Sequence, residues 1–66
     1  MRDVVLKPGR ERPVRSGHPW VFSGAIASGL ADVAPGDPVR VRADDGRVLG
    51  VGYGNPRTTI AVRGFP

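Results

Sequence analysis

Apolar and polar positions alternate most clearly in the second half of the chain. Val39, Val41 and Ala43 alternate with Arg40 and Arg42, the period of a strand with one buried face. Asp45-Gly46 is a hairpin turn signal, and residues 47–53 read as the returning partner strand. On that strand Leu49, Val51 and Tyr53 form an apolar face, while Val48, Gly50, Gly52 and Gly54 occupy the other. Glycines lining one strand face mark a close backbone approach or a bulge. Asn55-Pro56 turns the chain, with the Asn55 side chain suited to capping the turn. Residues 58–62 give a last strand with Ile60 and Val62 inward.

The first half is more broken. Val4-Val5-Leu6 reads as a short opening strand, followed by Pro8-Gly9. Proline fixes φ and glycine accepts a positive φ, as a type II turn requires. Within residues 10–17, Pro13 suits the first helical position and Gly17 the one just past the last, which allows one or two helical turns with Arg12 and Arg15 on a shared face. His18-Pro19 extends the chain again, and Trp20-Val21-Phe22 reads as strand with both rings on one face. Residues 23–34 carry the weakest pattern, with a strand near Ala25-Ile26-Ala27. Pro35-Gly36 is a second Pro-Gly turn.

Composition supports this reading. Ten valines against three leucines among 66 residues favour strands, because branched side chains fit a pleated surface better than a helix. Ten glycines and seven prolines cut the chain into short pieces. The expected fold is mainly β with one short helix: a small, partly open pseudo-barrel of five or six strands. Its hairpin spans residues 39–53, and Trp20, Phe22, Val39, Val41, Leu49, Val51, Ile60 and Val62 form the expected core. A chain this short buries only about 60% of the surface its unfolded form exposes. With no cysteine and one histidine, it has neither a disulfide framework nor a zinc cluster to compensate. No apolar run approaches the ~20 residues of a membrane helix, and the segment after Met1 lacks a secretory apolar stretch. A cytoplasmic setting is expected.

Charge narrows the function. The net charge is +4, and nine of the ten basic residues are arginine, which suits a polyanionic partner. Lys7, Arg10, Arg12 and Arg15 cluster within nine residues, with Glu11 the only acid among them. Arginine's planar fork binds phosphate bidentately, and rings such as His18 and Trp20 can stack on bases. Arg40 and Arg42 share a solvent face and either extend this patch or merely solubilise the sheet. Catalysis finds no support. His18 would need one of Ser16, Ser23, Ser28, Thr58 or Thr59 as nucleophile, and none forms a nucleophile elbow. Asp44 and Asp45 satisfy turn geometry. The glycines of residues 50–54 do not follow the G-x-G-x-x-G pattern of a dinucleotide loop.

A family resemblance is carried by three groups of residues. The first is Leu6-Lys7-Pro8-Gly9-Arg10-Glu11-Arg12 with Gly17-His18-Pro19-Trp20-Val21-Phe22-Ser23-Gly24-Ala25-Ile26. The second is Pro35-Gly36-Asp37-Pro38-Val39-Arg40-Val41 with Gly46-Arg47-Val48-Leu49-Gly50. The third is Tyr53-Gly54-Asn55-Pro56 with Ile60-Ala61-Val62-Arg63. Together they resemble the N-terminal PUA-like domain of bacterial methyltransferases that use S-adenosylmethionine to methylate C5 of a cytosine in 23S ribosomal RNA. One departure stands out: a bulkier residue is expected in the family where this chain has Gly54.

The resemblance implies one PUA-like RNA-binding domain over residues 1–66, cut from a longer methyltransferase. It implies contact with ribosomal RNA through Lys7, Arg10, Arg12, Arg15 and His18, and through Arg57 after the Asn55-Pro56 turn. The cofactor site and the family's cysteine nucleophile would lie in a C-terminal catalytic domain, so this chain is expected to hold no cofactor and catalyse nothing alone. The competing expectation is a structural docking domain that braces the catalytic part and exposes an apolar patch instead.

Overall fold

The computed structural model describes residues 1–15 and 20–64, apart from the Arg15 side chain. Six strands form one sheet: β1 (Arg2–Leu6), β2 (Trp20–Phe22), β3 (Ile26–Ser28), β4 (Asp37–Arg42), β5 (Val48–Gly54) and β6 (Ile60–Arg63). Their spatial order is β2-β6-β5-β4-β1-β3. All pairings are antiparallel except β1 with β4, which run parallel. A single turn of helix, α1 (Arg12–Arg15), precedes β2.

The sheet curls until its edges nearly meet. A 3₁₀ turn, Ser23–Ala25, links edge strand β2 to edge strand β3. Ser23 N–H donates to the Thr59 carbonyl (2.8 Å), and the Ala25 carbonyl accepts from Lys7 N–H (2.8 Å). This turn therefore ties the β6 side of the sheet to the β1 side, giving the partly open barrel expected from the strand pattern.

The Pro-Gly and Asp-Gly signals mark real turns. Gly9 and Gly36 adopt φ of +80° and +87°, and each turn closes with a backbone bond, Arg10 N–H to Lys7 (3.1 Å) and Asp37 N–H to Ala34 (3.0 Å). The β4–β5 hairpin uses three loop residues rather than two. Gly46 N–H donates to Ala43, Ala43 N–H donates to Arg47, and Gly46 takes φ +92°. This is a type I turn followed by a left-handed glycine, which spares Asp45 the positive φ of a type I′ turn.

The interior is built from small branched side chains. Val4, Leu6, Val39, Val41 and Val62 are fully buried. Val14, Val21 and Val33 complete the cluster, with Leu49 and Ile26 packed against it. Each such burial is worth about 1.5–3 kcal/mol. Val39, Val41 and Val62 thus lie inward as expected, while Leu49 and Ile60 are only half-buried.

Two strands depart from expectation in which face they bury. On β2, Val21 points inward while Trp20 and Phe22 are 38% and 49% exposed. On β5, Gly52 and Gly54 are buried while Val51 and Tyr53 are exposed. The reason is room. A Cβ at Gly54 would come within 2.9 Å of Val33 Cγ1 and 3.1 Å of Val39 Cγ1. The concave side of so small a barrel admits glycine and valine, and the rings go outside.

Candidate nucleic-acid interface

The local geometry around α1 follows from its turn chemistry. Lys7 directly follows β1, with its N–H held by Ala25 and its carbonyl holding Arg10, so its exposed side chain rises from a fixed backbone. Arg10 closes the turn and Arg12 opens α1, both exposed. Val14, only 6% exposed, joins the core cluster and pins the helix to the barrel. A four-residue helix has no stability of its own, so this anchor decides where the arginines stand. Arg15 ends α1; its side chain, and the whole of His18, lie outside the described residues.

Beside α1 lies an apolar hollow of about 230 Å³ lined by Arg10, Pro13, Val14, Trp20, Val21, Phe22 and Ala25. It is smaller than the usual small-molecule pocket and offers ring-sized apolar walls with one guanidinium among them. The outward turn of Trp20 and Phe22 creates it. Sequence reasoning placed these rings in the core, and the cue to the contrary was the row of valines able to fill the interior without them.

Cations among the described residues fall into two kinds. Asp3 on β1 stands opposite Arg40 on β4. Its Oδ1 accepts from Arg40 Nε at 2.6 Å, and Arg42 Nε lies 3.4 Å from the same oxygen. Arg42 Nη1 also donates to the Gly46 carbonyl (2.7 Å). Arg47 pairs with Asp45 at 2.7 Å. The hydrogen bond from Arg40 lowers the Asp3 carboxyl below its ordinary range, against a lesser opposing effect of desolvation, and Asp3 in turn raises Arg40. Arg40 and Arg42 are therefore already committed to an acid. No ion pair or side-chain hydrogen bond among the described residues engages Lys7, Arg10 or Arg12. Glu11, the acid between Arg10 and Arg12, forms no ion pair among the described residues, and its Oε2 is buried without a hydrogen-bond partner there.

Arg57 is exposed in the turn that Asn55 caps, where Asn55 Oδ1 accepts from Arg57 N–H at 2.9 Å. Its loop touches the Ser23–Ala25 turn at Ser23 through Thr59, and Lys7 touches the same element at its other end, Ala25. The structure thus sets Lys7, Arg10 and Arg12 together on one side of that turn and brings the Arg57 loop to its other side.

The glycines of β5 do not offer a cofactor loop. They lie within a strand hydrogen-bonded to β4, and at Gly54 to β6 as well. Among the described residues no group of His, Cys, Asp and Glu could hold a metal ion, and no helix is long and apolar enough to cross a membrane.

Comparison with known proteins agrees with this architecture. Over 62 residues the chain is 50% identical to ribosomal RNA large subunit methyltransferase I of Shewanella denitrificans, and over 62 residues 47% identical to the same-named protein of Shewanella frigidimarina. The corresponding Alteromonas mediterranea protein is 42% identical over 60 residues. Each match covers 91% of this chain but only 15% of the relative. The similarity falls on a small non-catalytic portion of those methyltransferases. The family model of the PUA-like domain matches residues 4–65, and the chain belongs to the PUA-like domain family.

Proposed function

We propose that this chain is an RNA-binding module of a ribosomal RNA methyltransferase. It holds ribosomal RNA through Lys7, Arg10, Arg12, Arg15, His18 and Arg57 and positions it for a cytosine-C5 methyltransferase domain elsewhere in a longer cytoplasmic protein. S-adenosylmethionine is bound by that other domain. One observation carries the reading: Lys7, Arg10 and Arg12 are exposed and engage no acid among the described residues, around a hollow walled by Trp20 and Phe22. Phosphates pair with the cations and fix the RNA in place, while an unpaired base meets the rings.

The test is binding of the 66-residue chain to single-stranded and folded rRNA fragments across a salt series. Neutralising about four phosphates gives a log K against log salt slope of roughly −3 for single strands, at about −0.7 per phosphate. In the same preparation, calorimetry should detect neither S-adenosylmethionine binding nor methyl transfer. The docking alternative has its own observation, the exposed Val48 and Val51 on the outside of β5. No RNA binding at low salt would transfer the weight to it.

A further inference from the structure

The outer face of the sheet carries a feature that the helix-centred reading leaves unused. Strand register places three exposed side chains in one row across β2, β6 and β5. Trp20 stands directly opposite Arg63, and Arg63 directly opposite Tyr53. Directly paired residues project from the same side of a sheet, with neighbouring strands about 4.8 Å apart. The two rings therefore rise from positions about 10 Å apart, with Arg63 on the strand between them. Among the described residues Tyr53 is the most exposed aromatic side chain, at 62%, and no ion pair or hydrogen bond there engages the Arg63 side chain. Gly64, at φ +92°, lies against the Tyr53 ring, where a Cβ would come 3.4 Å from Cδ2. A hollow of about 300 Å³ adjoins Tyr53 and Arg63, with Asn55 and Thr58 in its wall.

We propose that this row is a stacking platform for two consecutive unpaired nucleotides of RNA, one base on Trp20 and the next on Tyr53, with the phosphate between them on Arg63. The inference rests on the RNA-binding reading above and extends it to a path. The spacing supports two bases rather than one. A single base sandwiched between both rings would need them only about 7–8 Å apart, two van der Waals separations. Sheet faces that present aromatic rings stack successive bases of single strands. An unneutralised cation at the centre of the row suits a phosphodiester better than an apolar protein surface. Trp20 also lines the hollow beside α1, so the row continues from the cationic turn over the β2 edge and onto the outer face.

The experiment compares the 66-residue chain with Tyr53→Ala, Tyr53→Phe, Arg63→Ala and Arg12→Ala variants. Each is titrated with single-stranded rRNA oligonucleotides and with matched oligonucleotides carrying abasic positions. Far-ultraviolet circular dichroism and thermal melting confirm that each variant folds. Tyr53→Ala should weaken binding roughly five- to a hundredfold, the usual worth of one stacked base. Tyr53→Phe should bind as the parent does, because the ring remains. Abasic oligonucleotides should bind the parent and Tyr53→Ala equally. Arg63→Ala should flatten the salt slope by about 0.7. If Tyr53→Ala and Arg63→Ala bind normally while Arg12→Ala fails, the platform is overturned and the helix-centred reading stands. If no variant nor the parent binds RNA, both fall.

Discussion

The arginines of β4 and those around α1 carry the same charge on exposed surface yet are prepared for different things. Arg40 and Arg42 converge on Asp3 across a parallel strand pair, and Arg42 also holds the hairpin carbonyl of Gly46. Arg10 and Arg12 stand on a turn and a one-turn helix and engage no acid among the described residues. A phosphate approaching β4 must compete with a carboxylate already in place, whereas one approaching α1 meets cations that no ion pair among the described residues engages. A net charge of +4 does not distinguish these groups; the availability of each cation does. The sequence left open whether β4 extends the basic patch, and the Asp3 clamp favours the view that it does not.

The difference can be broken at its foundation. Val14→Asp would bury a carboxylate where α1 meets the core, at a cost of several kcal/mol. We expect α1 to detach and RNA binding to collapse while the Asp3–Arg40 pair survives. NMR amide shifts of β1 and β4 measured beside the binding assay would show the two regions parting. Loss of the whole fold would mean that the helix is integral to the barrel rather than docked upon it.

Next in size is the direct contrast. Arg10→Ala with Arg12→Ala should reduce RNA affinity by about tenfold for each charge-assisted hydrogen bond to phosphate that is removed, and flatten the salt slope by about 1.4. Arg40→Ala with Arg42→Ala should change both quantities far less. Equal reductions from the two pairs would mean diffuse attraction by charge and erase the distinction.

A smaller effect runs in the opposite direction. Asp3→Asn should release Arg40 and Arg42 and strengthen RNA binding modestly at low salt, an advantage that salt then screens away. Filter binding at two ionic strengths would detect it. An unchanged affinity would show that the β4 face lies off the RNA path even when its cations are released.

The smallest expected effect concerns acid. Because the Arg40 hydrogen bond depresses the Asp3 carboxyl in the folded chain, its contribution to stability is present above the ordinary value of 3.8 and disappears as pH falls through the lower folded value. Thermal melts from neutral pH downward should therefore show a slightly steeper acid loss in the parent than in Asp3→Asn. Asp45, depressed by the backbone N–H of Arg47, contributes to both proteins and cancels in the comparison. Parallel curves throughout would mean that solvent screens the clamp completely.

Whatever depends on a few neighbouring residues was settled by the sequence itself. Pro8-Gly9, Pro35-Gly36 and Asp45-Gly46 each place a glycine where φ must be positive, so the turns and the β4–β5 hairpin follow from local sterics. The alternation of Val39 and Val41 with Arg40 and Arg42 fixed the buried face of β4, and the basic segment around Lys7, Arg10 and Arg12 was plain from spacing alone. Tertiary structure decided which faces of β2 and β5 turn inward, because hydrophobicity ranks Trp20, Phe22, Val51 and Tyr53 above glycine but does not measure the curvature they must fit. With Val33 and Val39 occupying the interior beside Gly54, the volume was already filled and the rings were turned to solvent. It also brought Asp3 to Arg40, 37 residues away, and set Trp20, Arg63 and Tyr53 in one row. Such pairings depend on strand order, and strand order is a property of the closed sheet rather than of any stretch of the chain.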